Sequence, residues 1–139
     1  MQRYRQGVPA SLSPLLVREG VVTLVRRGLP FATLDEVASA AGVGRLAMAR
    51  VIGLPPTTLA RRRESGTLTT EESDRLVRVA RLVGMTWELM RGDGNAARRW
   101  LKEGHDLIDG ESPLERASTE AGGREVEQLI GRLRYGTFS

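Results

Sequence analysis

The sequence is poor in the residues from which most catalytic and metal-binding sites are built. Its 139 residues contain no cysteine, one histidine and one lysine, and only 4% of them are aromatic. Without cysteine there are no disulfides, thiolate metal sites or thiol nucleophiles, and nothing points to an oxidising compartment. No stretch approaches the roughly 20 apolar residues that a membrane span requires. We expect a cytoplasmic protein that does not enter a membrane.

The single histidine, His105, does not form a recognisable catalytic or metal-binding pattern. Glu103 and Asp106 lie near it in the sequence, but one imidazole with scattered carboxylates is a poor match to either kind of site. No serine lies in a nucleophile elbow, and the Gly-x-Gly patterns at 42–44 and 92–94 lack the strand-to-helix context of a phosphate-binding loop. We predict a protein that is not an enzyme, uses no cofactor and binds no metal.

Charge is distributed unevenly along the chain. Residues 1–66 carry ten Arg and four acidic residues, whereas residues 67–139 carry eleven basic and thirteen acidic ones. A basic front half and a slightly acidic back half indicate two functions, with polyanion contact assigned to the front. We divide the chain into a basic arm (1–10, with Arg3 and Arg5), a DNA-binding region (11–68) and a domain for partner binding and self-association (69–139).

Helical periodicity dominates the sequence after the arm, and no segment predicts a strand, so the expected fold class is all-α. The first helix is predicted over 13–27, although Gly20 weakens it. Thr33 is then expected to cap a helix over 34–41, with Glu36 completing a capping box.

Two further helices are joined by a short turn that contains Gly53, which is the arrangement of a helix-turn-helix motif. The first is predicted over 44–52, and the second begins at Pro56, where a proline suits the first helical position. In this motif a small residue precedes the turn glycine by four and an apolar residue follows it by six. Ala49 and Leu59 satisfy that spacing.

An earlier register has the same spacing, at Ala38, Gly42 and Met48. It would offer chiefly Arg45 and Arg50 to DNA. We prefer the later register because its second helix holds the strongest basic cluster.

The candidate DNA contacts of the later register are two threonines and three arginines of the second helix. They are Thr57, Thr58, Arg61, Arg62 and Arg63. Threonines at a helix N-terminus can meet phosphates or base edges, and arginine suits both. Arg62 departs from the motif, which usually has an apolar residue there, so either its stem packs inward or the helix is displaced. The alternative for the cluster is an ordinary solvated basic face.

The longest predicted helix follows, with Thr69 or Thr70 as its N-cap. Its later residues are apolar nearly all round, which predicts burial between two halves of the molecule or at a dimer contact. Gly84 is a candidate break within it. Asn95 is expected to cap the next helix, over 96–103.

The last predicted helix carries a clear amphipathic pattern. Ser112 and Thr119 are placed as N-caps, each before a helical segment. The second segment has one apolar stripe with helical spacing. Its members are Val126, Leu129, Ile130 and Leu133. That stripe must pack on another element.

Glycines in the same helix carry a further expectation. Gly122, Gly123 and Gly131 each destabilise a helix interior by roughly 0.5–1 kcal/mol relative to Ala, which suggests close approach of another backbone. Gly136 is placed to end the helix and leaves residues 137–139 as an arm with an aromatic ring. Two interpretations stay open: a core helix with a frayed end, or a partner-binding helix with an inserting tail.

Five segments in this order carry a family resemblance: residues 54–62, 68–76, 96–101, 112–115 and 131–139. Together they resemble antitoxins of the Xre/MbcA/ParS type, whose partners are RES-domain toxins. Several motifs in the right order make the resemblance more specific than a helix-turn-helix alone.

The resemblance implies an all-α antitoxin with an Xre/Cro-like helix-turn-helix region followed by a small helical toxin-binding domain. Such antitoxins self-associate as homodimers or larger assemblies with toxin and bind the operator DNA of their own operon. Their toxins resemble ADP-ribosyltransferases that act on NAD, and the antitoxin occludes the NAD cleft with its C-terminal helix and tail. The toxin-binding residues carried over are Arg124, Glu127, Arg132, Arg134, Tyr135, Gly136, Thr137, Phe138 and Ser139.

A second hypothesis belongs to another functional class. The chain would be a stand-alone helix-turn-helix regulator whose C-terminal half only dimerises. Removal of residues 135–139 distinguishes the two, because a pure regulator keeps its operator affinity and loses nothing else.

Overall fold

The structure is a computed structural model, and it describes residues 7–136, apart from the side chain of Arg18. Residues 1–6 of the predicted basic arm, which include Arg3 and Arg5, and the tail residues Thr137, Phe138 and Ser139 lie outside the described residues. Within them every regular element is helical, and the only pairing of extended backbone is one bridge between residues 30 and 67. The all-α prediction is confirmed.

Nine α-helices lie within residues 7–136. They are α1 (Ser13–Leu16), α2 (Arg18–Arg27), α3 (Ala32–Ala41), α4 (Arg45–Val51), α5 (Pro56–Ser65), α6 (Thr70–Leu89), α7 (Gly94–Lys102), α8 (Pro113–Arg116) and α9 (Glu120–Tyr135). Short 3₁₀ turns occupy Ala10–Leu12 and Asp106–Ile108. None of these helices combines the length and the apolarity that crossing a bilayer demands.

The twenty-residue helix α6 is the axis of the fold. It packs against α1, α2 and α3 from the N-terminal half of the chain and against α7 and α9 from the C-terminal half. Thr69 is its N-cap and forms a complete capping box with Glu72, as the sequence predicts. Gly84 does not break the helix, and Leu16 of α1 packs against the space that a side chain at Gly84 would fill. The prediction that α6 is buried between two halves is therefore confirmed.

The prediction of one helix over 13–27 is wrong. Val17 is extended, and Glu19 and Gly20 leave the helical region within the span of α2. Gly20 has a φ of +89°, which glycine adopts without steric penalty. The resulting bend separates α1 from the regular part of α2, and Leu16 is buried against α6.

The predicted capping box at Thr33 is also wrong. The helix begins at Ala32, and Thr33 is buried in its first turn with its N–H donated to the carbonyl of Pro30. Phe31 is held from outside by a hydrogen bond from its N–H to the carbonyl of Gly66. This long-range pairing fixes the chain before the helix and moves its start two residues earlier than the local pattern predicts.

Asn95 does not cap α7, contrary to the prediction. Asp93 takes that position and accepts a hydrogen bond from the N–H of Ala96 at 3.1 Å. A carboxylate at a helix N-terminus gains from the helix dipole as well as from the hydrogen bond. The turn at Arg91 and Gly92, both with positive φ, brings Asp93 to this position.

The N-caps of α8 and α9 are the residues that the sequence predicts. Ser112 forms a capping box with Glu115, and Thr119 accepts a hydrogen bond from the N–H of Gly122. The apolar stripe of α9 packs on α6, with Val126, Leu129 and Ile130 buried. The stripe therefore belongs to the internal core.

Close backbone approach is confirmed for only one of the three glycines. A methyl group at Gly122 would overlap the carbonyl oxygen of Arg116, so α8 and α9 meet there backbone to backbone. A methyl group at Gly123 or Gly131 would meet no atom within 4 Å. For those two positions the expectation is wrong in this structure.

We expect Gly122→Ala to lower the free energy of unfolding by about 1–3 kcal/mol, because the added methyl overpacks the contact with α8. Gly131→Ala is the matched control, since the same change in open space removes the glycine penalty and stabilises α9 by up to about 1 kcal/mol. Urea denaturation followed by circular dichroism measures both. Equal changes in the two variants would contradict the close approach at Gly122.

Candidate functional site

The helix α5 is presented on the surface by two flanking turns. Leu54 is buried and donates its N–H to the carbonyl of Ala49, which closes the turn after α4. Pro56 occupies the first turn of α5, and Leu59 anchors the helix in the core. No side chain caps the N-terminus of α5. Its first N–H groups are thus available to a negatively charged group such as a phosphate.

Three of the five predicted DNA contacts lie together. Thr57 and Arg61 are exposed and one turn apart, and Thr58 accepts a hydrogen bond from Arg61 Nη2 at 3.3 Å. Arg63 is also exposed, but two residues rotate it about 200° around the helix from Arg61. It lies towards α3, where its charge helps to lower the pKa of Asp35.

Arg62 points inward. Its Nε donates to Glu72 Oε1 at 2.8 Å, and the two side chains are only 24% and 7% exposed. The same Glu72 oxygen accepts the N–H of Thr69 in the capping box. Arg62 therefore ties the middle of α5 to the N-terminus of α6, which explains a charged residue at a motif position that is usually apolar.

Opposing effects set the pKa of the Glu72 carboxyl. Burial raises it, but hydrogen bonds from Arg62 and from Thr69 outweigh burial, so the pKa lies below its ordinary value of 4.5. A carboxyl whose pKa is lower in the folded state stabilises the fold above its unfolded pKa. That contribution is lost as the pH falls through the folded pKa.

We expect Arg62→Met to lower the free energy of unfolding at pH 7 by about 1–3 kcal/mol, since Glu72 then loses its charged partner. The free energy of unfolding should also decline less steeply as the pH falls below the ordinary pKa of the Glu72 carboxyl. Arg63→Met is the matched control and should stay within about 0.5 kcal/mol of wild type. Chemical denaturation at a series of pH values measures both effects. Indistinguishable curves for Arg62→Met and wild type would show that the pair contributes nothing.

The earlier helix-turn-helix register offers fewer free cations. Arg45 forms a two-pronged ion pair with Asp35, at 2.6 and 2.9 Å, and its guanidinium lies 5.1 Å from the centre of the Phe31 ring. This contact is the largest cause that lowers the pKa of Asp35. Arg50 is exposed and forms no ion pair within residues 7–136.

Sequence reasoning missed two arginines near the end of α5. Arg26 and Arg27 are exposed at the end of α2, and the carbonyl of Arg26 accepts a hydrogen bond from Thr70 Oγ1 at 3.1 Å. That hydrogen bond places them beside the segment between α5 and α6. The bridge between Pro30 and Thr67 sets the geometry, and no local pattern signals it.

The predicted toxin-binding residues of α9 fall into two groups. Glu127 and Arg134 face α6, where they form ion pairs with Arg81 and Glu88 respectively. The others with described positions lie on the outside or at the end of the helix. They are Arg124, which pairs with Glu120, the exposed Arg132, Tyr135 with 73% of its surface exposed, and Gly136, the left-handed C-cap.

Arg116 is a positioning residue that sequence reasoning missed. Its guanidinium contacts Glu125 of α9 at 2.9 Å, Glu111 at 2.8 Å and Asp109 at 2.9 Å. These contacts, led by Glu125, raise the pKa of Arg116. One cation thus joins the loop before α8, α8 itself and the first half of α9.

His105 has a structural environment. Its Nε2 lies 3.1 Å from the carbonyl oxygen of Trp100, and the centroids of the His105 and Trp100 rings are 4.9 Å apart. No group of three or more His, Asp or Glu side chains in the described part of the chain is arranged to hold a metal ion.

Two family models match the chain. The model of the antitoxin Xre-like helix-turn-helix domain matches residues 20–81, from the bend in α2 to the middle of α6. The model of the antitoxin Xre/MbcA/ParS C-terminal toxin-binding domain matches residues 88–136, which include α7, α8 and α9.

Curated relatives agree with these models. Antitoxin Xre of Yersinia enterocolitica is 33% identical over 134 residues, which cover 96% of this chain and 87% of the relative. Antitoxin Xre of Photorhabdus laumondii is 28% identical over the same shares of both chains. Antitoxin Xre of Pseudomonas putida is 33% identical over 69 residues, 50% of this chain and 43% of the relative.

A helix-turn-helix domain followed by a toxin-binding domain defines an antitoxin, and this class of protein is not enzymatic. More particularly, the chain belongs to the Xre family of antitoxins, with an Xre/MbcA/ParS C-terminal toxin-binding domain.

Proposed function

We propose that this antitoxin neutralises a RES-domain toxin by occluding its NAD site with the end of α9 and the residues after it. The observation that carries this proposal is the exposure of Tyr135, 73% of whose surface is accessible at the end of a helix whose apolar stripe is already buried. Aromatic side chains are enriched among residues that dominate protein–protein binding. The toxin-binding domain match includes α9.

The second part of the proposal is that the antitoxin represses its own operon through α5. Thr57, Thr58 and Arg61 lie together near the uncapped N-terminus of that helix. N-terminal residues of a helix-turn-helix recognition helix contact base edges, and cations and helix N-termini contact phosphates. Arg26 and Arg27 add two exposed cations beside the segment that follows α5, and Arg62 ties α5 to α6. A homodimer, alone or within a larger complex with toxin, would place two such helices on a two-fold operator.

The positions of the two surfaces allow both activities in one chain. Glu72, which holds α5, and Glu88, which holds α9, lie sixteen residues apart on α6. At 1.5 Å per residue this separation is about 24 Å along one straight helix. DNA and toxin would therefore bind at opposite ends of α6.

For the toxin surface, we expect Tyr135→Ala to weaken binding of the RES-domain protein encoded in the same operon by at least about 10-fold, the scale of a central interface aromatic. Surface plasmon resonance measures the affinity, and cellular NAD reports neutralisation. Operator binding should be unchanged, because α5 lies at the other end of α6. An unchanged affinity for the RES-domain protein in Tyr135→Ala would contradict the role of Tyr135. Operator binding without any binding of the RES-domain protein, in the wild type as well as in the variant, would favour a stand-alone regulator.

For the DNA surface, we expect Arg61→Ala to weaken binding to the promoter region of its own operon and to reduce the salt dependence of binding by about one phosphate contact. Arg124→Ala is the matched control, because it removes an exposed arginine from α9. Fluorescence anisotropy over a salt series measures both. An Arg61 variant with unchanged affinity and salt slope would count against the later register.

A further inference from the structure

Two ion pairs join α6 and α9 with matching spacing. Arg81 Nη2 lies 3.2 Å from both carboxylate oxygens of Glu127, and Glu88 pairs with Arg134. The partners are seven residues apart on each helix, and the order of charge is reversed between them: cation then anion on α6, anion then cation on α9. Because residue numbers rise together on both helices, α6 and α9 run parallel where they touch.

The apolar contact between these helices does not by itself specify one register. The buried stripe consists of Val126, Leu129 and Ile130, which are similar in size and carry no directional polar group. Hydrophobic attraction is non-directional and depends mainly on the area buried. A shift of α9 along α6 by one turn would keep apolar side chains in contact.

The ion pairs do discriminate against such a shift. Moving α9 by one turn would bring Gly123 or Gly131 opposite Arg81, so that cation would lose its partner. Moved in one direction, it would also bring Ile130 opposite Glu88. The Glu88 side chain is only 11% exposed, and a buried carboxylate without a cation is strongly unfavourable. The observed register is therefore the one in which both α6 charges are neutralised.

We propose that Glu127 and Arg134 are positioning residues that hold α9 in register on α6, and that the toxin contacts the opposite face of α9. That face carries the exposed side chains of Arg124, Gln128, Arg132 and Tyr135. Arg132 has no ion-pair partner within residues 7–136, so the face fits an acidic surface on the toxin. This inference rests on the proposed function, because it identifies which side of the toxin-binding helix is used.

The test is a set of charge reversals in the full chain, with the RES-domain protein encoded in the same operon as the binding probe. Arg134→Glu and Glu88→Arg should each weaken binding by at least about 10-fold, and the double variant should recover most of the loss, because the pair is restored in reverse. Arg132→Glu should weaken binding as strongly. Glu88→Arg should not rescue Arg132→Glu.

A second pair guards against variants that fail to fold. Arg81→Glu, Glu127→Arg and their combination change the more exposed pair, with side chains 57% and 24% accessible. The melting temperature of each variant and its binding to the operator show that the remaining structure is intact. In both sets the double variant should be more stable than the sum of the single changes predicts.

Each outcome bears on a different statement. If Glu88→Arg with Arg134→Glu binds toxin as poorly as Arg134→Glu alone, Arg134 contacts the toxin directly and the inference is overturned. If the changes in melting temperature are additive in both pairs, the ion pairs do not hold α9 in register on α6. That result requires no toxin. If the wild type itself does not bind the RES-domain protein, the proposed function fails. The melting temperatures still show whether the two ion pairs hold α9 in register on α6.

Discussion

The fold depends on how the C-terminal end of α3 is completed. Trp87 of α6 donates its indole N–H to the carbonyl of Ala40 at 2.8 Å, and Arg98 of α7 donates to the carbonyl of Ser39 at 2.9 Å. The Arg98 guanidinium also lies 5.0 Å from the centre of the Trp87 ring. Carbonyls at a helix end need partners from elsewhere. Arg98 lies within the residues that match the toxin-binding domain, and α3 lies within those that match the helix-turn-helix domain, so this contact joins the two matched regions.

Ion pairs between helices hold both ends of α6. Near its start, Glu72 holds Arg62 of α5, and near its end, Glu88 holds Arg134 of α9. Each of these arginines has the chemistry of a ligand contact, yet each is used within the molecule. A largely buried carboxylate that loses its cation is destabilised, so the two pairs fix the orientations of α5 and of α9 relative to α6.

Local sequence signals predicted the features that local physics controls. The caps at Thr69, Ser112 and Thr119 follow from side-chain hydrogen bonds within three residues, and all three are present. The predicted starts of α3 and α7 are wrong. Pairing of Phe31 with Gly66 outweighs the local preference at α3, and the turn before Asp93 outweighs it at α7. Which arginines pair within the chain depends on contacts between residues far apart in sequence, and spacing cannot reveal them.

One apolar core contains Leu59 of α5 together with Val126, Leu129 and Ile130 of α9, so we expect the two helices to unfold as one cooperative unit. Hydrogen exchange measured by mass spectrometry across a urea series tests it directly, with peptides from α5 and from α9 as separate probes. We expect both helices to lose their protection in one coincident transition. If α9 opens at a lower urea concentration while α5 stays protected, the two halves are independent units, and the joint at Trp87 and Arg98 does not couple them.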